Sequence, residues 1–166
     1  MQLATKTTYP IEQLLEDWHW LLPDDVELVV ITKSGDAFVR RRRDGVILWL
    51  NVVEASVTEV AATLEDFQTA MTAPQNVNAW FMPDVVQGQS VLGMDPGLNE
   101  CLSFKLPPVL GGKIDPDNIE ISDIAVHFSL AGQIHQQVKD LPHGTKIDRF
   151  VEITERPQKK PFWRFW

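Results

Sequence analysis

Ala37 to Val53 reads AFVRRRRDGVILWLNVV, two apolar runs parted by four arginines, an aspartate and a glycine. The pattern predicts two strands, AFVRR and VILWLNVV, folded back on one another. With Arg42-Arg43-Asp44-Gly45 as a four-residue loop, Arg41 faces Val46, Val39 faces Leu48 and Phe38 faces Trp49. That register sets like against like across the pair. A three-residue loop would put Arg40 opposite Leu48, so the longer loop is preferred.

Working outward, Lys33-Ser34-Gly35-Asp36 is a turn cluster, and the Val- and Ile-rich stretch from Glu27 to Thr32 predicts a preceding strand. Ile11, Leu14, Leu15 and Trp18 recur at helical spacing, predicting a helix from Pro10 to Leu21 that Pro23 stops. Downstream, Thr63 to Met71 predicts a helix capped by Thr63, with Asp66 in its first turn. A second helical stretch, Asn78 to Val86, is interrupted by Pro83. Gln87 to Asn99, rich in Gly, Asp and Pro, is read as turns with room for one short strand. Glu100 to Leu106 predicts a strand ended by Pro107-Pro108, and Gly111-Gly112 another break. A short strand over Asn118 to Ile121 then gives way to a 3.6-residue period. Ile124, Phe128, Ala131, His135 and Val138 form one stripe, with His127 at its edge. This predicts a helix from Asp123 to Lys139 with Ser122 as N-cap. Ile147 to Ile153 is read as a final strand. The elements sum to an α+β domain.

The bulk numbers narrow the function. A chain of 166 residues and 18.9 kDa suits a single domain, and 44% hydrophobic against 23% charged residues argues against disorder. Cys101 is alone, so no intramolecular disulfide or Cys-based metal site is expected. Its apolar surroundings fit a buried, inert thiol. The first residues lack a basic region followed by an apolar core, and no run approaches the ~18 apolar residues of a membrane span. A cytoplasmic location is therefore expected, with no stable membrane insertion.

Net charge is −8, unevenly spread. The last stretch, RPQKKPFWRFW (Arg156–Trp166), holds four basic residues and no acid, while the rest holds 11 basic and 23 acidic ones. So acidic a body repels the phosphate backbone, which argues against direct nucleic-acid binding and for a basic protein partner. Two acidic groups are the candidate contact surface: Glu16, Asp17, Asp24, Asp25 and Glu27 near the first helix, and Asp115, Asp117 and Glu120 later. Asp115-Pro116-Asp117-Asn118 lacks the glycine and terminal glutamate of a calcium loop.

The histidines carry the rival enzymatic reading. His127 and His135 are eight residues apart, about 12 Å along a helix at ~1.5 Å per residue, too far to share a metal held about 2 Å from each. His143 follows in a Pro-His-Gly turn. No HxH, HxxxH or HExxH pattern occurs, no Gly-x-Ser-x-Gly elbow, and Gly111-Gly112 has neither Walker nor GxGxxG spacing. Neither a cofactor nor a metal is expected. His127 and His135 are read as half-buried residues flanking Ala131, where the small side chain admits another element. The competing expectation is a cleft where one of them meets a carboxylate or Cys101. A third reading gives the aromatic, cationic stretch Lys159–Trp166 an adaptor role, on a membrane surface, a partner or the acidic body itself.

Three strings resemble a known family: SGDAFVRRRRDGVILWLNV (Ser34–Val52), FKLPPVLGG (Phe104–Gly112) and DNIEISDIAVHFSLAGQIHQQVKDLPHGTKI (Asp117–Ile147). They resemble bacterial type VI secretion immunity-like domains, related to the SUKH superfamily of toxin-immunity proteins, over about residues 12 to 147. The resemblance implies a mainly antiparallel, twisted sheet with helices packed against it. It also implies a non-catalytic role, in which the protein binds a cognate toxin in the cytoplasm and blocks its active site. The recognised strings read as fold determinants, so no functional residue is carried over. The expected boundaries are one domain over residues 1–154 and a basic, aromatic tail over 155–166.

Overall fold

The computed structural model describes residues 2–142 and Thr145. The strand expected over Ile147–Ile153, the tail and His143 lie outside the described residues.

The hairpin forms in the preferred register. β3 (Ala37–Arg41) pairs antiparallel with β4 (Ile47–Asn51), setting Phe38 against Trp49 and Val39 against Leu48. The loop closes with the Arg41 N–H donating to the Val46 carbonyl at 2.9 Å, and Gly45 supplies the positive φ of 79°. β1 (Ala4–Thr5), β2 (Val26–Thr32) and β5 (Ser56–Ala61) complete a five-stranded sheet in the order β1-β2-β3-β4-β5, antiparallel throughout. β6 (Glu100–Phe104) and β7 (Ile119–Asp123) make a separate antiparallel pair. It is tied to the main sheet where the Leu102 N–H donates to the Lys33 carbonyl at 2.7 Å.

Both faces of the main sheet are covered, which explains why its central strands read as nearly continuous apolar runs. On one face Val39, Leu48, Leu50 and Val52 pack with Trp18 and with Ile124 and Phe128 of α5 (Ile124–Val138). On the other, Phe38 and Ile47 meet α2 (Leu64–Ala70) and α3 (Pro74–Phe81) in an aromatic cluster. There the Phe38 ring lies 4.8 Å from Phe67 and 5.5 Å from Trp80. Such ring pairs stabilise beyond the area they bury. The molecule is a single α+β domain with a mainly antiparallel sheet.

Four local expectations need correction. The first helix is short: α1 spans Ile11–Leu14, and a 3-10 turn over Glu16–Trp18 completes it. That tightening lets the Trp18 indole donate to the Phe128 carbonyl at 2.9 Å and seats the ring in the core. Pro83 does not interrupt a helix but begins one. Met82 adopts a left-handed conformation, α3 ends before it, and α4 runs Pro83–Val91 with the proline at the first position, where no N–H is needed. α4 thus occupies part of the stretch read as turns. Finally, Asp123 rather than Ser122 caps α5, its Oδ1 accepting from the N–H groups of Ala125 and Val126.

Candidate functional site

α5 carries both described histidines of the rival reading, and the structure shows what each does. His127 is buried. Its Nε2 lies 3.0 Å from the Gly35 carbonyl and its Nδ1 2.9 Å from the Ser103 hydroxyl. A carbonyl only accepts, so Nε2 carries the proton and Nδ1 accepts from the serine. Burial lowers its pKa to about 4, the Gly35 hydrogen bond opposing, which leaves the ring neutral near pH 7. Both nitrogens are thereby engaged in joining α5 to the β2–β3 turn and to β6.

His135 is also buried. Its ring sits 6.2 Å from that of Trp18, and it hydrogen-bonds the backbone of Val52 and Val53 at the end of β4. Burial lowers its pKa as well. The Cys101 thiol is pushed up by burial first and by nearby carboxylates second, away from the reactive thiolate. The partners shown for His127 and His135 are thus a hydroxyl and backbone groups, not a carboxylate or Cys101. Among the described residues no group of three or more His, Cys, Asp and Glu is placed to hold a metal.

Ala131 packs against the core cluster that holds Trp18, and its neighbour Gly132 makes the tightest approach. A Cβ at Gly132 would stand 2.7 Å from the Asp17 carbonyl oxygen and 2.9 Å from the Asp17 Cβ. The 3-10 turn thus rests directly on α5, and Asp17 Oδ2 accepts from the Ser129 hydroxyl at 2.6 Å and from Gln133 at 3.3 Å. Asp17 is therefore partly consumed in holding the helix.

The remaining acids lie in two separate places. Asp24 pairs with His19 at 3.3 Å, Glu27 forms an ion pair with Arg40 across β2–β3, and Asp24 and Asp25 border a shallow hollow with Glu12 and Arg42. Glu16 is exposed on the 3-10 turn. The second group sits by the β6–β7 pair. Asp115 caps the turn before β7 by accepting from the Asp117 N–H at 2.9 Å, the Asp117 carbonyl accepts from Lys105 Nζ at 2.8 Å, and Glu120 is exposed on β7. Asp24, Asp25, Asp115, Asp117 and Glu120 keep exposed positions, while Asp17 and Glu27 are half-buried.

A feature the sequence reading missed is a cleft of about 140 Å³ between α5 and the loop after β6, bordered by Ser103, Pro108, Val109, Leu130, His127 and His135. Its outer lip includes Val126 and Leu130. These belong to a second apolar row on α5, Val126–Leu130–Ile134 at four-residue spacing, that was visible beside the core stripe.

With this geometry in view, the chain is compared with known proteins. Residues 61–135 match the family model described as T6SS immunity protein Tdi1, C-terminal. The similarity is to a type VI secretion immunity protein. The Tdi1-like span runs from the end of β5 to His135, so it contains β6, β7 and most of α5, while Val52 and Val53 on the border of the cleft lie outside it. Among solved structures, Atu4351 from Agrobacterium tumefaciens superposes with a TM-score of 0.54 at 16% identity, covering 74% of this chain. At that identity the likeness is one of fold. This chain spans 63% of the length of that protein. No curated protein matches the chain.

Proposed function

We propose that this protein is a non-catalytic immunity protein that binds a cognate toxin in the cytoplasm and blocks it. The observation that carries the reading is the match of residues 61–135 to the Tdi1 immunity family. The engagement of His127 and His135 in holding α5 supports a binding role over a catalytic one. In this reading the folded domain covers residues 1–154 and residues 155–166 form a separate tail. No helix among the described residues is long and apolar enough to cross a membrane.

The finer reading concerns the partner. A toxin that acts on nucleic acid presents a cationic surface to phosphate, and an acidic protein competes for that surface. The contact acids are Asp24 and Asp25 on one side and Asp115, Asp117 and Glu120 on the other, with Glu16 at the margin of the first group. Asp17 and Glu27 support the first group from half-buried positions. The test is reversal of both groups to lysine in the full chain, followed by stopped-flow association with the captured partner. Association at low salt should slow by tenfold or more, and the difference should shrink as salt rises. Equal association rates at low salt would contradict the electrostatic contact.

A further inference from the structure

The cleft beside α5 continues past Pro108, Val109 and His135 into a second hollow of about 470 Å³, bordered by Trp20, Glu54, Val138 and Leu141. Together they form a groove along the outer side of α5, about 18 Å from Val126 to Val138 at ~1.5 Å per residue. Its lip is apolar and open to solvent: Val126 is 56% exposed, Leu130 55%, Leu141 45% and Val109 37%. Contiguous exposed apolar surface of this kind marks a place where something docks.

We propose that the occupant is the chain's own C-terminal segment, anchored by Phe162, Trp163, Phe165 and Trp166. Three observations support this occupant. The described chain leaves through the groove itself, since Leu141, Pro142 and Thr145 all border the second hollow. The sixteen residues 146–161 span up to about 3.3–3.6 Å each, so the four aromatics reach any point along α5.

The charges are also complementary. Each hollow has one exposed acid on its border, Glu120 in the first and Glu54 in the second. The cations beside them already have partners: Lys105 Nζ donates to the Asp117 carbonyl, and Lys139 lies 5.2 Å over the Trp20 ring. Lys159, Lys160 and Arg164 flank the anchoring aromatics in sequence, and in this docking they are the cations set against Glu54 and Glu120. Tethering holds the segment at an effective concentration in the millimolar range, so a modest apolar contact suffices to seat it. This inference is independent of which partner the protein binds.

The test is methyl NMR of the full chain, recorded at two concentrations tenfold apart. The expected result is cross-relaxation between the Val126 and Leu130 methyls and indole or phenyl ring protons of residues 162–166, unchanged on dilution. Those contacts should be lost in full-length chains carrying Leu130→Glu, or Phe162→Ser with Trp163→Ser, Phe165→Ser and Trp166→Ser. The Leu48 and Leu50 methyl shifts should stay in place, reporting an intact core. Absence of these contacts in the unaltered chain, with Val126 and Leu130 shifts identical in the aromatic-free variant, would overturn the proposal. So would contacts that weaken on dilution, which would assign the groove to a second copy.

Discussion

His127 and Asp36 are buried titratable groups whose effects on stability run in opposite directions. Asp36 sits at the start of β3, accepting from the Val52 N–H at 2.9 Å and from the Trp49 indole at 3.2 Å. Burial raises its pKa to about 7 against those two hydrogen bonds, which favour the charged form. From about pH 4 to 7 the folded protein therefore keeps a proton on Asp36 that the unfolded chain has released, and stability from this group falls as pH rises. For His127, with its folded pKa near 4, the unfolded chain holds the extra proton from about pH 4 to 6.5. Stability from this group rises with pH across that window. The two slopes offset one another in the native protein. Asp36→Asn removes one of them, so denaturant titrations from pH 4.5 to 6.5 should show stability climbing with pH more steeply than in the unaltered chain, by up to about 1.4 kcal/mol per unit. Equal slopes in the two proteins would refute this assignment. His127→Ala should cost about 3 kcal/mol at pH 7, through the cavity and through loss of a hydrogen bond to each of the Gly35 carbonyl and the Ser103 hydroxyl. Gly35 itself, at φ +93° and with a Cβ site 2.6 Å from His127 Nε2, should tolerate no side chain.

Among the elements, α5 is the one on which the rest converges, and its docking depends on a glycine. Alanine is favoured over glycine by about 1 kcal/mol in a helix interior, yet Gly132→Ala should destabilise by about 1–3 kcal/mol, because the added carbon meets the Asp17 backbone. Thermal or denaturant unfolding gives the sign directly, and a stabilised variant would contradict the packing. The same helix shows how much the sequence disclosed. Its extent and the Ile124, Phe128 and His135 part of its core stripe were legible from the 3.6 period, though buried Gly132 and Ile134 were not, and the β3–β4 register was legible from matching side chains across a turn. The cap was not, because Ser122 and Asp123 are both capping residue types and only the backbone turn selects between them. β5 escaped notice because Ser56–Ala61 lies at a sheet edge, with Thr58 and Glu59 facing solvent and little alternation to read. The end of α4 escaped for a related reason: Gln87, Gly88 and Val91 are exposed and the buried position beyond Val86 is the polar Gln89, so its last turns show no apolar stripe. The cleft was invisible for another reason. It is formed by α5, β6 and the end of β4, which only tertiary packing brings together.

For the whole molecule, a sheet covered on both faces leaves function to the outer surface. The two acidic groups and the groove beside α5 are the surfaces proposed for contact, the acids for speed of encounter and the groove for the chain's own aromatic end. The central claim, a toxin bound and silenced by this chain, is tested most directly by capture from the native cell lysate with the full chain as bait, at low and high salt. The captured protein is then assayed for nuclease activity with and without added chain. The expected result is one stoichiometric basic protein, weakened at high salt, whose nuclease activity falls to background at a one-to-one ratio. A captured nuclease that stays fully active when saturated with this chain, or no retained protein in either buffer, would contradict it.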